Sequence, residues 1–93
     1  MFARVSTYRG DGDRLLQGFA DVSGPLEAID GFSRAYFMVN RASGKGMSIT
    51  VWETEEALNA SAAKADELRS RGAEAGGSTI ESVESYEIGM TIP

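Results

Sequence analysis

Gly44-Lys45-Gly46-Met47-Ser48-Ile49-Thr50-Val51-Trp52-Glu53-Thr54-Glu55-Glu56-Ala57-Leu58 carries a turn, a buried strand and the start of a helix without a gap. From Met47 to Trp52, β-branched Ile49, Thr50 and Val51 sit in an alternating pattern that predicts a strand. At Thr54 the rule changes. Its hydroxyl is suited to accept a hydrogen bond from an unpaired backbone N–H of the next turn, and Glu55 and Glu56 place negative charge at the positive end of a helix dipole. The strand ends where the helix begins.

Working outward, Phe2 to Tyr8 alternates Ala3, Val5 and Thr7 against Phe2, Arg4, Ser6 and Tyr8, which predicts a first strand. Gly10-Asp11-Gly12 is a turn, and Asp11 or Asp13 can cap a helix beginning near Arg14. Leu15, Phe19, Val22, Leu26 and Ile29 recur on one helical face. Pro25 interrupts that run and disfavours helical geometry at Gly24, so a kink or break is expected, with a short second piece to about Asp30. Gly31 closes it. Phe32 to Asn40 reads as a second strand, with Ser33, Ala35, Phe37 and Val39 on one side and Phe32, Arg34, Tyr36 and Met38 on the other. Asn40 to Gly46 is a hairpin connection. A helix is expected from about Glu55 to Arg71, with Leu58, Ala62, Ala65 and Leu68 on one face and Gly72 as its C-cap, followed by a loop from Ala73 to Thr79. A last strand is expected from about Glu81 to Ile92, with Tyr86, Ile88, Met90 and Ile92 on one side.

The order β-α-β-β-α-β is that of an α+β, ferredoxin-like antiparallel sheet with two helices on one face. The 93 residues form one domain, and the strands carry apolar residues on both sides. Two helices cover only one face, so the other is expected to pack on the sheet of a second copy, giving a homodimer.

Composition removes whole classes of chemistry. There is no cysteine, hence no disulfide or thiolate metal site, and no histidine, the commonest metal ligand and the usual general base near neutral pH. No run of about eighteen apolar residues occurs, and the N-terminus lacks the basic and apolar regions of an export signal, so a cytoplasmic protein without a membrane partner is expected. A net charge of -5 argues against nucleic acid. Lys45 to Trp52 overlaps in part with an RNA-recognition strand, but Met47 and Ile49 occupy the positions of its inner stacking aromatics. The acidic Gly10-Asp11-Gly12 turn would repel phosphate, and Asp11 and Asp13 lack the further ligands of a calcium loop.

Over nearly its whole length the chain resembles the antibiotic-biosynthesis monooxygenase group of the dimeric α+β barrel superfamily. The proline-interrupted first helix, Gly31-Phe32 opening the second strand and, above all, Ile49 to Leu58 with its Trp-Glu, hydroxyl and acidic-Ala-Leu signature carry the resemblance. It implies a ligand cavity between sheet and helices, and a cofactor-independent monooxygenase whose small aromatic, phenolic or quinol substrate is deprotonated and then reacts directly with O₂. The residues available are Arg34, Tyr36 and Trp52 as catalytic candidates, and Ser48, Thr50 and Tyr86 as substrate-binding candidates. Arginine or tyrosine can stabilise a phenolate by hydrogen bonding. A second reading assigns Trp52 to packing and Arg34, Tyr36 and Tyr86 to the dimer contact. The haem-degrading branch of the superfamily uses a histidine ligand that this chain lacks, so neither metal nor haem is expected. The alternative to an enzyme is a non-catalytic dimer of the same fold that binds a small ligand or serves an accessory role.

Overall fold

The computed structural model describes residues 1–93. Strand β1 (Phe2–Arg9) leads to helix α1 (Gly12–Glu27), the hairpin of β2 (Phe32–Asn40) and β3 (Lys45–Trp52), helices α2 (Glu55–Ala60) and α3 (Ala62–Gly76), and strand β4 (Thr79–Glu87). The strands form one antiparallel sheet in the order β2-β3-β1-β4. The α+β, ferredoxin-like arrangement is therefore as the sequence pattern indicates. No helix is long and apolar enough to cross a membrane.

The caps follow their local chemistry. Asp11 accepts from the Arg14 N–H at 3.1 Å, and the Thr54 hydroxyl accepts from the Ala57 N–H at 3.0 Å. The apolar face of α1 is buried through Leu15, Phe19, Val22 and Leu26. One cluster joins Val22, Leu26, Trp52, Leu58 and Leu68, and a second joins Tyr8, Leu15 and Phe19. Both lie between the helices and one sheet face. Phe2, Arg4, Ser6 and Tyr8 of β1 share this face with their β3 partners Trp52, Thr50, Ser48 and Gly46.

Three boundaries and the facing of one residue differ from the pattern-based expectation. Helix α1 is one element through Pro25. The proline falls in the last turn, where it removes a single bond, and Gly24 has no Cβ to meet the proline ring. The second helix is jointed at Ser61 and runs past Gly72 to Gly76, where Gly77 at φ 64° forms the left-handed C-cap. Gly72 is not a cap. It lies where α3 meets α1, so close that a Cβ on Gly18 would stand 2.3 Å from the Gly72 carbonyl oxygen. The strand expected to reach Ile92 stops at Glu87, because β1 begins at Phe2 and leaves the rest no partner beyond one bond from the Ile88 N–H to the Met1 carbonyl. Finally, a register shift between Phe32 and Arg34 turns Phe32 to the helix side, edge-on to Trp52 at 5.7 Å.

Candidate functional site

Strand β1 places two polar side chains, Arg4 and Ser6, on the face that the helices cover, and both are buried. Arg4 reaches to the α2–α3 joint. Its Nη1 donates to Ser61 Oγ at 3.2 Å and its Nη2 to the Leu58 carbonyl at 2.8 Å, while Ser61 Oγ itself donates to the Leu58 carbonyl at 2.7 Å. The guanidinium also lies over the Trp52 ring, 5.8 Å from its centroid. From α3, Arg69 comes down on the same region, its Nε donating to Ser6 Oγ at 3.0 Å and its Nη1 to Asp66. The Arg69 side chain is 7% exposed, whereas that of Asp66 is 76% exposed, so Arg69 spans from the interior to the surface.

Arg4, Ser6 and Arg69 line a cavity of about 40 Å³ between sheet and helices, closed by the Tyr8 and Ser48 hydroxyls and by Thr50, with Phe19, Phe37 and Leu68 as its apolar wall. Tyr8 and Ser48 share a hydrogen bond at 2.9 Å. No carboxylate lines the cavity. Burial lowers the Arg4 pKa below the ordinary arginine value, with a further lowering from Arg69 and a partial offset from Asp66. The space holds about two or three waters, and is too small for an aromatic ring without movement of its walls.

Of the residues picked from sequence, Ser48 and Thr50 line this cavity. Trp52 does not: it is wholly buried in the core beside it, and its indole N–H donates to Thr50 Oγ1 at 3.0 Å, which orients a cavity residue from behind. Arg34, Tyr36 and Tyr86 project from the opposite sheet face, because they pair with Val51, Ile49 and Ala3, the residues that β3 and β1 turn away from the helices. There Arg34 Nη1 donates to the Tyr36 hydroxyl at 3.4 Å, which holds the guanidinium pKa above its usual value. The Tyr86 hydroxyl donates to Glu84 at 2.7 Å, and the carboxylate raises the phenol pKa. Arg34, Tyr36 and Tyr86 thus occupy one face of the sheet, and Ser48 and Thr50 the other.

Arg4, Ser6, Tyr8 and Arg69 are the cavity residues that sequence reasoning missed. The alternation of β1 already placed the first three on one face with Phe2, and a charged residue inside an apolar-flanked strand was the available signal. Arg69 carried none, since the surface of an exposed helix is full of such residues. No group of three or more acidic side chains is placed to hold a metal ion.

Solved structures align with the chain along its entire length. SnoaB, a cofactor-independent oxygenase from Streptomyces nogalater, superimposes with a TM-score of 0.74 at 22% identity, over 99% of this chain and 96% of its own. A Deinococcus radiodurans protein assigned to the antibiotic biosynthesis monooxygenases gives 0.74 at 14% identity, over 100% and 97%. The fold is that of the antibiotic biosynthesis monooxygenases. MhuD of Mycobacterium tuberculosis, a heme-degrader whose structure holds two hemes, shares it with a TM-score of 0.72 at 20% identity and full coverage of both chains. This chain has no histidine, and the cavity between its sheet and helices is about 40 Å³. In sequence, the uncharacterized protein Rv2557 of Mycobacterium tuberculosis is 35% identical over 92 residues, which are 95% of this chain and 41% of that protein. The chain therefore spans less than half the length of that curated relative. No family model matches.

Proposed function

We propose that this chain is a cofactor-independent monooxygenase that takes a small phenol or quinol into the cavity between sheet and helices. One observation carries the reading: two arginines and four hydroxyl groups converge on a buried space that contains no carboxylate. Such a site favours a phenolate over a phenol, because positive charge and hydrogen-bond donors in a water-poor cavity stabilise the oxyanion. The phenolate then gives up electrons to O₂. Converting a ring C–H ortho or para to the hydroxyl, together with that hydroxyl, to the two carbonyls of a quinone supplies all four electrons; one oxygen atom enters the ring and the other leaves as water with the two hydrogens lost. No protein group need be oxidised. A ring requires more room than about 40 Å³, and outward motion of Arg69 together with exposed Asp66 is the route by which it would enter.

The working unit proposed is a homodimer with facing sheets. The sheet face turned from the helices exposes Tyr36 (49%), Met38 (45%) and Tyr86 (51%) around the half-buried Val5, Met47 and Ile49, an apolar surface of the kind that associates in water. Arg34 and Tyr36 would belong to that contact.

Oxygen uptake over a panel of hydroquinones and anthrone-like phenols tests the reaction, with Arg4→Met and Tyr8→Phe as the variants that should lose it. Wild-type protein inert to the whole panel refutes the oxygenase reading. The non-catalytic alternative, a dimer that binds a small ligand, is favoured by the size of the cavity, about 40 Å³, which a ring exceeds unless the walls move.

A further inference from the structure

We infer that the cavity is a receptor for a small monoanion, with the carboxylate group of an organic acid as the class of ligand it takes. The inference rests on the cavity being the ligand site, as above, but not on any oxidation occurring there.

The charge balance points to it. Arg69 has a carboxylate partner in Asp66, whereas Arg4 is hydrogen-bonded only to neutral oxygens, Ser61 Oγ and the Leu58 carbonyl, and faces the ring of Trp52. The three charged groups therefore sum to one positive charge, and the cation without a counter-ion is the buried one. A buried charge in this state is costly: burial is the main cause that lowers the Arg4 pKa, and repulsion from Arg69 adds to it. One negative charge in the cavity would offset both.

Size and donors agree. About 40 Å³ accommodates a planar anion of three or four heavy atoms, or the head of a longer acid, with the walls where they stand, whereas a ring requires them to move. Ser6, Tyr8, Ser48 and Thr50 bring hydroxyls to the same space, and a hydroxyl can turn its proton toward a carboxylate oxygen. Arginine beside hydroxyl donors is a pairing suited to a carboxylate rather than to a neutral phenol.

Sodium formate and sodium nitrate are the probes, titrated under argon in a sodium HEPES background of constant ionic strength, a bulky sulfonate outside the proposed ligand class. Trp52 is the sole tryptophan and lies against Arg4, so its emission and the melting temperature both report occupancy. Saturable changes with formate and nitrate, and none with neutral formamide, are expected. Arg4→Met should weaken formate binding at least about tenfold, the loss of a charged hydrogen-bonding partner. If Arg4→Met does not fold, Arg69→Met carries the comparison and should weaken formate binding; Ser48→Val should weaken it too, with a lower ligand-free melting temperature because the buried Tyr8 hydroxyl loses its partner. Formamide binding as well as formate, sulfate binding better than either monoanion, or no saturable response in the wild type would each overturn the inference. Because none of these ligands is oxidised, a protein inert in every oxygen-uptake assay yet saturable by formate refutes the oxygenase reading and leaves the anion site standing. Turnover of phenols with no response to formate does the reverse.

Discussion

Replacing Gly18 with alanine should destabilise the crossing of α1 and α3. The new Cβ would stand 2.3 Å from the Gly72 carbonyl oxygen, 3.2 Å from its carbon and 3.3 Å from the Gly76 nitrogen. Carbon and carbonyl oxygen approach no closer than about 3.3 Å even in favourable C–H···O contacts, so α1 and α3 must part locally by roughly 1 Å. The obstacle is backbone, which no rotamer change can move aside. Overpacking of this kind costs roughly 1–3 kcal/mol, and a backbone clash belongs at or above the upper end. The gain in helix propensity from glycine to alanine is about 1 kcal/mol in the opposite direction. A net loss of about 2 kcal/mol follows, which lowers the melting temperature of a chain of this size by roughly 10 °C. Gly72→Ala is the internal control. Its Cβ would lie 3.1 Å from the Gly18 carbonyl oxygen, a contact relieved by a few tenths of an ångström, so the same propensity gain should leave stability within about 0.5 kcal/mol of wild type. Urea denaturation of both variants at one fixed protein concentration measures the difference. If Gly18→Ala proves as stable as Gly72→Ala, the helices do not approach as closely as described, and the wall they give the cavity is wrong with them.

Thr54→Ala removes the hydroxyl that accepts from the Ala57 N–H and should cost about 1 kcal/mol by denaturation, with Thr54→Ser restoring most of it. Ile49→Glu together with Met38→Glu places charge on the uncovered sheet face; sedimentation should show a monomer where the wild type is a dimer, and an unchanged wild-type monomer would refute the facing-sheet assembly. Arg34→Met and Tyr36→Phe should weaken that dimer without altering Trp52 emission or ligand binding in the cavity, as they occupy the other face. The Tyr86 phenol has its pKa raised in the folded protein, chiefly by its hydrogen bond to Glu84, so its contribution to stability is present below the ordinary tyrosine pKa of 10.0 and is lost as pH rises through the folded value. In an ultraviolet titration, Glu84→Gln should move that ionisation to lower pH.

The element order, the two helix caps and the buried faces of α1 and β3 could be read from the chain alone. These are set by alternation, helical spacing and the polar residue at each helix start, all of which act between near neighbours in sequence. So was the fold, since one ordering of four strands and two helical segments with one apolar helix face allows few arrangements. What required the tertiary structure was decided by contacts between distant segments. Gly72 has the local signature of a helix end, yet it serves a helix crossing, because its carbonyl lies against Gly18 on another element. Arg34 and Tyr36 have the composition of a polar site, but strand pairing turns them to the uncovered face, and only the register of β2 on β3 says which side that is. Arg4 and Arg69 look like ordinary surface cations in their own segments. Their meaning arises only when α3 lies across β1, brings both guanidinium groups to one cavity and leaves a single buried positive charge without a partner.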